Sequence, residues 1–591
     1  MLNVSLAALA VATAVSAVHA ESIETITVYS SRQAQPVEQA LNSVTVLDRA
    51  DIVARQAQDL PALLSQLAGV TISRDGGRGQ NSGVFIRGGN TGHTLILVDG
   101  VRTGSATLGI SSLAMIPLDS IERIEVIRGP RAAWYGSDAV AGVIAITTRR
   151  AQSTEFSVGV GSYGLLETDL ALQHRQGDLQ VHANLGYSRA DGFDVQPALD
   201  PDKDGYWQRF AGLGANYDSE LGQFYWHSHI NSGRYDFDTA WGSEDRSAVL
   251  QRSHVLGWQY EVAASQHQLQ LSRNLDSDTT FGPDSASPFR TRRDEANYQW
   301  NQQWTSEWSV LLGANWYEEE VAKNPPDYEV TSRRNRALFS GIQYQPAQWL
   351  LEIAARQDRF SQYGTERTWQ LAAGYYFTEQ WLIRVSRGTA FKAPSFNELY
   401  WPGFGNADLR PEESVSDEVA LRYSGTRLQS ELVWFDREVT NLIQGLEQVE
   451  NVRLASVRGA EYSLALQQAN WRHQLAYTWL DAKNEQTNEP LIRRPKHSLS
   501  VRTQLQHEQW SAFATLDYQS STFQGFDWSS NANFADLAGF TLLGIGGSYQ
   551  LNPAWQLQLK LDNLTDKTYQ TSIGYATAGR TVGIRLRYQG L

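Results

Sequence analysis

Carboxylates are concentrated between Asp194 and Asp245, where their chemistry suits the binding of a hard cation. Asp200–Gly205 opens like a helix–loop–helix calcium loop, but Ala211 stands at the twelfth position, where such a loop needs a bidentate Glu. A self-contained loop of that kind is therefore excluded. Carboxylates that meet at one place repel each other unless a cation neutralises them, whereas separate acidic loops would simply be solvated. The candidate oxygen ligands are Asp194, Asp202, Asp204, Tyr235, Asp236, Asp238 and Asp245.

Groups for covalent or redox catalysis are scarce. The chain has no cysteine, which excludes disulfides and thiolate metal sites. It lacks the Gly-x-Ser-x-Gly motif of serine hydrolases, and its carboxylates occur without a credible partner base. A net charge of −14 argues against a general nucleic-acid binder, which would carry a basic stripe. We therefore expect neither an enzyme nor a nucleic-acid-binding protein.

The elements that must position the acidic residues are β-strands, because apolar and polar residues alternate from about residue 154 to the end. In Leu179–Ser188 and Trp555–Asp562, for example, every second residue is apolar or aromatic. A period of two places the two sets on opposite faces of a strand, in a soluble sandwich as well as in a barrel. Lys, Arg, Gln and His on the polar face, with Trp and Tyr near strand ends, favour a transmembrane barrel with a wet lumen.

The length of this zone sets the size of the expected barrel. A membrane-crossing strand with its turn and loop takes about 20 residues, so the roughly 440 residues from 151 to 591 accommodate about 22 antiparallel strands. A barrel of that width cannot be filled by its own side chains and needs a plug. The fold class predicted is therefore an all-β transmembrane barrel that encloses a smaller N-terminal domain.

The first twenty residues, 1–20, are predicted to be a secretory signal peptide. Leu6–Val18 is rich in apolar and small residues, and Val18–Ala20 fits a small-x-small cleavage site. The expected positive charge at the start is missing, since no Lys or Arg occurs before Arg32. A buried N-terminal helix is the alternative interpretation of the same stretch.

Residues 36–150 have a different pattern, which predicts a small α+β domain. Asp59–Gly69 has leucines at helical spacing. Glycine-dense loops separate the short apolar segments that follow. These segments are the predicted strands Val84–Arg87, Leu95–Val98, Ile124–Ile127 and Val143–Thr147.

A series of motifs in this domain identifies a family. They are Val84–Gly88, Leu97–Val101, Ile121–Pro130, Tyr135–Ala139 and Gly142–Ile144. In this order they resemble the plug of TonB-dependent receptors. Four barrel segments match the family as well, namely Thr389–Pro394, Asn406–Glu412, Arg458–Glu461 and Asn563–Tyr569. The resemblance therefore covers nearly all of the chain after the signal peptide.

Within the family the chain looks most similar to receptors for cobalamin (vitamin B12). This narrower likeness is carried by residues 76–82, 129–138, 491–496 and 574–580, and by the modest length. It implies active import of cobalamin across the outer membrane of a Gram-negative cell, by a monomer surrounded by membrane lipid. A receptor of the same architecture for a ferric siderophore or haem is the alternative. A passive porin would need no plug.

The resemblance also implies a partner and an energy source. TonB, anchored in the inner membrane, captures a short extended segment near the N-terminus of such receptors. That TonB box is predicted within a linker at 21–35, and its alternating, β-branched sequence can add as a strand to the sheet of a partner. Its residues are Glu24, Thr25, Ile26, Thr27 and Val28. The plug's own first strand, or a disordered tail, would be the structural alternative.

Three sets of site residues follow from the resemblance. The plug apex is expected to contact ligand through Arg78, Gly79, Gln80, Asn81, Ser82, Arg102 and Thr103. Calcium is expected between the two acidic loops, with Asp194, Asp202, Asp204, Asp236 and Asp245 the best match and Asp238 an alternative to Asp236. Plug arginines are expected to pair with barrel glutamates, and these residues are Arg87, Arg128, Glu398 and Glu461.

Overall fold

The computed structural model describes residues 27–28, 31–197, 201–238, 245–282, 285–324, 327–444, 448–527 and 532–590. The predicted signal peptide and residues Glu24, Thr25 and Ile26 of the TonB box lie outside this part of the chain. Among the described residues, no helix is long and apolar enough to cross a membrane.

The N-terminal domain contains nine short strands and three short helices. The strands are β1 (Thr27–Val28), β2 (Gln35–Pro36), β3 (Val44–Leu47), β4 (Val70–Arg74), β5 (Ser82–Ile86), β6 (Thr94–Val98), β7 (Val101–Arg102), β8 (Ile121–Arg128) and β9 (Gly142–Thr148). The helices are α1 (Arg49–Arg55), α2 (Leu60–Leu64) and α3 (Ala132–Tyr135). A five-stranded sheet of order β3-β8-β9-β6-β7 forms the centre, and β4 and β5 form a separate hairpin.

The four predicted plug strands are confirmed, but the predicted helix is shorter than expected. Asp59 caps α2 by accepting a hydrogen bond from the amide of Ala62 at 2.9 Å. The helix ends at Leu64, after which Leu67 donates to the carbonyl of Leu64 at 3.1 Å. This three-residue spacing belongs to a tighter terminal turn, so the leucines continue to face the core although the α-helix has ended.

The second domain is a closed barrel of 22 antiparallel strands, which confirms the predicted fold class. Consecutive strands pair in order, and the first pairs with the last, Glu155 opposite Gln589. The barrel strands are β10 (Glu155–Gly161), β11 (Leu165–Gln176), β12 (Leu179–Phe193), β13 (Asp204–Ser219), β14 (Gly222–Phe237), β15 (Asp245–Val262), β16 (Ser265–Gly282), β17 (Ser285–Gln303), β18 (Trp308–Lys323), β19 (Ser332–Tyr344), β20 (Trp349–Phe360), β21 (Gly364–Tyr376), β22 (Trp381–Lys392), β23 (Glu412–Ser424), β24 (Leu428–Gln444), β25 (Glu450–Gln468), β26 (Trp471–Asn484), β27 (His497–Gln506), β28 (Trp510–Gln519), β31 (Phe540–Asn552), β32 (Trp555–Asp562) and β33 (Thr581–Gln589).

Two further elements lie in the loops at one end of the barrel. The hairpin of β29 (Thr522–Asp527) and β30 (Ala532–Leu537) follows β28, and helix α4 (Phe396–Tyr400) follows β22. The opposite end has short turns and aromatic pairs such as Trp308 with Tyr344, whose ring centres are 4.2 Å apart. Short turns mark the periplasmic end of outer-membrane barrels, so the loop end is extracellular.

Alternation along each strand sorts the side chains as predicted. On β12, Val181 and Leu185 face outward and are 38% and 45% exposed, whereas His182 and Asn184 face the lumen and are buried against the plug. The lumen-facing surface of the barrel is therefore polar and packs around the N-terminal domain.

Candidate functional site

The loop between β4 and β5 is the first apex of the plug, and it rests on the wall formed by β11 to β14. Arg78 donates to the carboxylate of Glu167 and, at 3.4 Å, to the hydroxyl of Tyr206. Gly79 has a φ of +78°, and a Cβ there would come within 3.0 Å of Tyr206. Glycine is therefore required by the backbone angle and by the close approach.

The other residues predicted at this apex divide between wall contacts and open positions. Gln80 is buried and donates to the backbone carbonyl of Asp236. Asn81 is exposed, and its side-chain oxygen accepts a hydrogen bond from Tyr235 at 3.4 Å. Ser82 donates to the carbonyl of Gln80 at 3.2 Å. Asn81 is thus the amide of this loop that remains open to the extracellular space.

Arg102, predicted at the second apex, lies inside the plug. Its guanidinium donates to the carbonyls of Ser137 and Tyr135, at 2.8 Å and 3.0 Å, and to the carboxylate of Asp138. Burial raises the pKa of Asp138, but Arg102, the neighbouring cations Lys392 and Arg293, and the Ser137 hydrogen bond together outweigh burial and lower it. Arg102 therefore stabilises the turn before β9. Thr103 extends the pairing of β7, because its amide donates to the carbonyl of Ile96 at 3.1 Å.

The outer surface of the second apex is apolar, which the sequence interpretation missed. Leu108 and Ile110 are 52% and 39% exposed. Two apolar residues inside a loop of Gly, Ser and Thr were the available signal. The start of α4 covers the neighbouring backbone, since the amide of Phe396 donates to the carbonyl of Ala106 at 3.2 Å.

Three of the predicted acidic residues form one pocket at the extracellular end. A carboxylate oxygen of each of Asp194, Asp204 and Asp238 lies within 4.8 Å of the others. Asp204 accepts the amide of Val195 at 2.9 Å, and Asp238 accepts the amide of Gln196 at 3.0 Å. The Oδ1 atom of Asp194 is buried and has no hydrogen-bond partner. Three carboxylates and an unpartnered oxygen fit a hard cation such as Ca²⁺.

The remaining predicted ligands do not belong to this group of three, although the charges of Asp202 and Asp236 act on Asp204. Asp236 forms an ion pair with Arg234 at 2.7 Å, so Asp238 rather than Asp236 joins the group. The hydroxyl of Tyr235 is directed to the plug apex. Asp202 is exposed in the loop before β13, and Asp245 begins β15 without joining the acidic group.

The plug and the barrel share a buried network of charges. Arg87 of the plug donates to both carboxylate oxygens of Glu461, at 2.7 Å and 2.9 Å, and to Glu418 at 2.5 Å. Arg128 reaches Glu461 at 3.3 Å. Burial would lower the pKa of Arg87, but the two carboxylates outweigh burial and raise it. Both plug arginines are therefore charged and held on the wall.

Glu398 does not belong to this network, so its predicted pairing with a plug arginine was wrong. Its carboxylate accepts the amide of Ser395 at 2.6 Å, which caps α4, and lies 3.5 Å from Lys392. Glu418 takes the place predicted for Glu398. Arg384 forms ion pairs both with Glu418 on β23 and with Glu431 on β24. Charged residues at lumen-facing positions of β22 to β24 were the signal that pointed to these partners.

The described end of the predicted TonB box is folded against the rest of the chain. Thr27 and Val28 pair with Gln35 and Pro36 as a two-residue ladder, and Val28 is fully buried. The Arg32 guanidinium lies 4.7 Å from the ring centres of Tyr135 and Phe339, one in the plug and one in the barrel. A partner that captures this segment would have to separate these few contacts.

Comparison with known proteins identifies the class. Residues 36–143 match the TonB-dependent receptor plug domain, and residues 145–564 match the TonB-dependent receptor-like β-barrel. The chain belongs to the TonB-dependent receptor family. Receptors of this family lie in the outer membrane of Gram-negative bacteria, interact with TonB and transport a ligand, and the same holds for this chain.

Individual relatives give a narrower likeness. The chain is 31% identical to the vitamin B12 transporter BtuB of Photobacterium profundum, over 98% of both chains. It is 30% identical to the vitamin B12 transporter BtuB of Vibrio cholerae, over 96% of both chains. Both alignments extend over the plug and the barrel together.

Solved structures share the fold at lower identity. The siderophore receptor PirA from Acinetobacter baumannii superposes with a TM-score of 0.81 at 18% identity, covering 94% of this chain and 99% of PirA. The ferric enterobactin receptor PfeA of Pseudomonas aeruginosa gives 0.80 at 20% identity, with 93% of this chain and all of that chain covered. At these identities the likeness shows the fold alone.

Proposed function

We propose that this receptor imports cobalamin and that TonB energises the transport. The observation that carries the proposal is the full-length similarity to vitamin B12 transporters in two genera. The acidic pocket adds support, because the same resemblance predicts calcium between these two loops.

Calcium would be held by Asp194, Asp204 and Asp238. A divalent cation there supplies positive charge that neutralises three carboxylates, and it ties the loop after β12 to the loop after β14. Gln80 donates to the carbonyl of Asp236, two residues from Asp238. Ordering these loops would therefore also order the first apex of the plug.

The chemistry of the apex suits a large ligand with amide groups and apolar edges. Asn81 presents an exposed carboxamide that can exchange hydrogen bonds with the carboxamides of cobalamin. Leu108 and Ile110 present apolar surface on the neighbouring loop. A ligand bound to both loops would contact the plug directly, so a pull on the plug would change the site that holds it.

Competition binding to the purified receptor tests the ligand. Cyanocobalamin is expected to bind and to resist displacement by ferric enterobactin or haem at matched concentration. Binding of ferric enterobactin or haem by a receptor that does not bind cyanocobalamin would assign the receptor to the alternative class and end the cobalamin proposal.

A matched pair of variants tests calcium. Asp204→Asn removes one charge from the pocket, whereas Asp218→Asn removes one from the exposed, opposite end of the same strand. We expect Asp204→Asn to weaken calcium affinity about tenfold or more, and Asp218→Asn to leave it within a factor of about two. Equal calcium binding by both variants and the wild type, in an isothermal titration, would remove the metal role.

A further inference from the structure

A groove of about 870 Å³ lies on the outer, lipid-facing surface of the barrel, across β11 to β17. The upper row, toward the extracellular end of the groove, consists of side chains that lie opposite one another on neighbouring strands. Arg209 lies opposite Ser232, Ser232 opposite Leu250, Leu250 opposite Ser277, and Ser277 opposite Arg290. The two serines beside Leu250 leave the surface between the arginines concave, and Ser277 is only 5% exposed although it faces outward.

Three arginines in the groove are exposed, and none has a carboxylate partner among the described residues. Arg209 and Arg290 end the upper row, and Arg252 stands one row lower between them. Arg209 lies 5.7 Å from the ring centre of Trp207. Two other outward arginines do have carboxylate partners, since Arg334 pairs with Glu318 and Arg458 with Asp436, both at 2.9 Å. The groove therefore carries positive charge that the protein itself does not balance.

The height of these arginines places them at the outer leaflet. Tyr217, near the periplasmic end of β13, lies eight residues from Arg209. Eight residues rise about 27 Å along a strand, or about 20 Å across the membrane at a tilt of about 40°, and the apolar band is about 25 Å tall. The guanidinium groups thus lie near the extracellular edge of the hydrocarbon, where a lone cation is tolerated but gains from an anionic headgroup.

The lower part of the groove is apolar. Leu170, Leu185 and Ile230 line the register row below Arg209 and Arg290, the row that also holds Arg252, and Tyr187 and Trp207 form the aromatic rim. Arg209 and Arg290 are separated by four strand spacings, about 19 Å in total. A headgroup that reaches both must be larger than one phosphate, and its chains must lie on the apolar surface beneath.

We propose that this groove binds a bis-phosphorylated glycolipid of the outer leaflet, with Arg209, Arg252 and Arg290 on its phosphates and Leu170, Leu185 and Ile230 against its acyl chains. Arginine suits this role because its planar fork gives charge-assisted hydrogen bonds to phosphate oxygens. The outer leaflet of a Gram-negative outer membrane is built from such glycolipids, so the ligand is present wherever the receptor is. The site is independent of the ligand that the plug captures.

Native mass spectrometry of the full receptor in detergent tests the proposal with bisphosphorylated lipid A as the probe. Replacing the three arginines by glutamine is expected to weaken lipid A binding about tenfold or more, since charge-assisted bonds are lost. The matched control R334Q/R458Q removes two partnered outward arginines and is expected to bind as the wild type does. A triple lysine variant keeps the charge and is expected to lie between.

Other phosphate-bearing ligands are tested as separate probes in the same measurement. Monophosphorylated lipid A should bind more weakly than the bisphosphorylated form, and phosphatidylglycerol more weakly still. Equal binding of phosphatidylglycerol or inorganic phosphate would overturn the glycolipid assignment. Unchanged lipid A binding by the glutamine variant would overturn the site, and loss of a co-purifying protein by that variant, with lipid A binding intact, would assign the groove to a protein partner.

Discussion

The interior of the plug and its interface with the barrel wall are built from opposite kinds of side chain. The interior is apolar, with Leu60, Leu63 and Leu64 of α2 fully buried against the central sheet. The interface is polar, as in the Arg87–Glu461 pair and in the contact of His229 with Asp99 at 2.7 Å. Apolar packing in the interior keeps the shape of the domain, whereas polar contacts at the wall can exchange with water when the plug is moved.

This contrast bears directly on transport. A receptor pulled from the periplasm needs a plug that leaves the wall before it loses its own fold. Substitutions in the pulled segment, in the interface and in the interior should therefore show whether the two regions respond separately.

The largest effect is expected in the segment that receives the pull. Ile26→Pro removes a backbone donor and restricts the preceding residue, so strand addition to TonB should fail. We expect uptake of ligand to be abolished while binding to the purified receptor is unchanged. Ile26→Val keeps the extended preference and is the control. A proline variant that still transports, or one that no longer binds ligand, would contradict the separation of capture from energy supply.

The second largest effect is expected for Glu461→Gln, which should weaken the interface between the plug and the barrel. Loss of this charge leaves Arg87 and Arg128 poorly compensated, and breaking a buried pair costs roughly 3–5 kcal/mol where water does not enter. Hydrogen exchange of the plug amides in the intact receptor should accelerate, with barrel amides unchanged. Glu450→Gln, on the exposed end of the same strand, is the control. Equal exchange in the Glu461 variant and the wild type would mean that the pair does not hold the plug.

Leu63→Ala addresses the interior. The side chain is fully buried between α2 and the sheet, and such a truncation costs about 3 kcal/mol. We expect faster exchange within the central strands β8 and β9, while ligand binding at the apex is retained. The change Ala62→Gly at a half-buried position of the same helix serves as comparison, because its cost is about 1 kcal/mol of helix propensity. If Leu63→Ala accelerated exchange only in plug amides that contact the barrel wall, the stability of the interior would depend on the barrel.

The sequence predicted the architecture better than the contacts of individual residues. Alternation and length were sufficient for a 22-strand barrel, because one face of every strand meets lipid and the other meets the lumen. The pairing of Arg87 with Glu461 followed from motif positions, whereas Glu398 belongs to a helix cap and Asp236 to a local ion pair. Which acidic residues meet depends on loop backbones, and no spacing along the chain encodes that distance.

Acid should weaken one interface contact through Asp99. Burial raises the pKa of Asp99, but the hydrogen bonds from His229 and Thr148 and the nearby histidines together outweigh burial and lower it below the usual range. A lowered pKa contributes stability that is complete above the unfolded value of about 3.9 and is lost as the pH falls below it. We expect the protection of plug amides, corrected for the intrinsic pH dependence of exchange, to fall below about pH 4. Asp99→Asn should remove this dependence, and an unchanged acid response in that variant would assign it to other carboxylates.

The smallest effect is expected for Glu398→Gln, which separates charge from position at the edge of the interface. Glu398 caps α4 through the amide of Ser395, and glutamine can accept the same hydrogen bond. Its ion pair with Lys392 at 3.5 Å is partly exposed and is worth about 0–1 kcal/mol. Plug exchange in this variant should therefore match the wild type, in contrast to Glu461→Gln. A change as large as that of Glu461→Gln would mean that α4 and its loop, rather than the buried charges alone, hold the plug in the barrel.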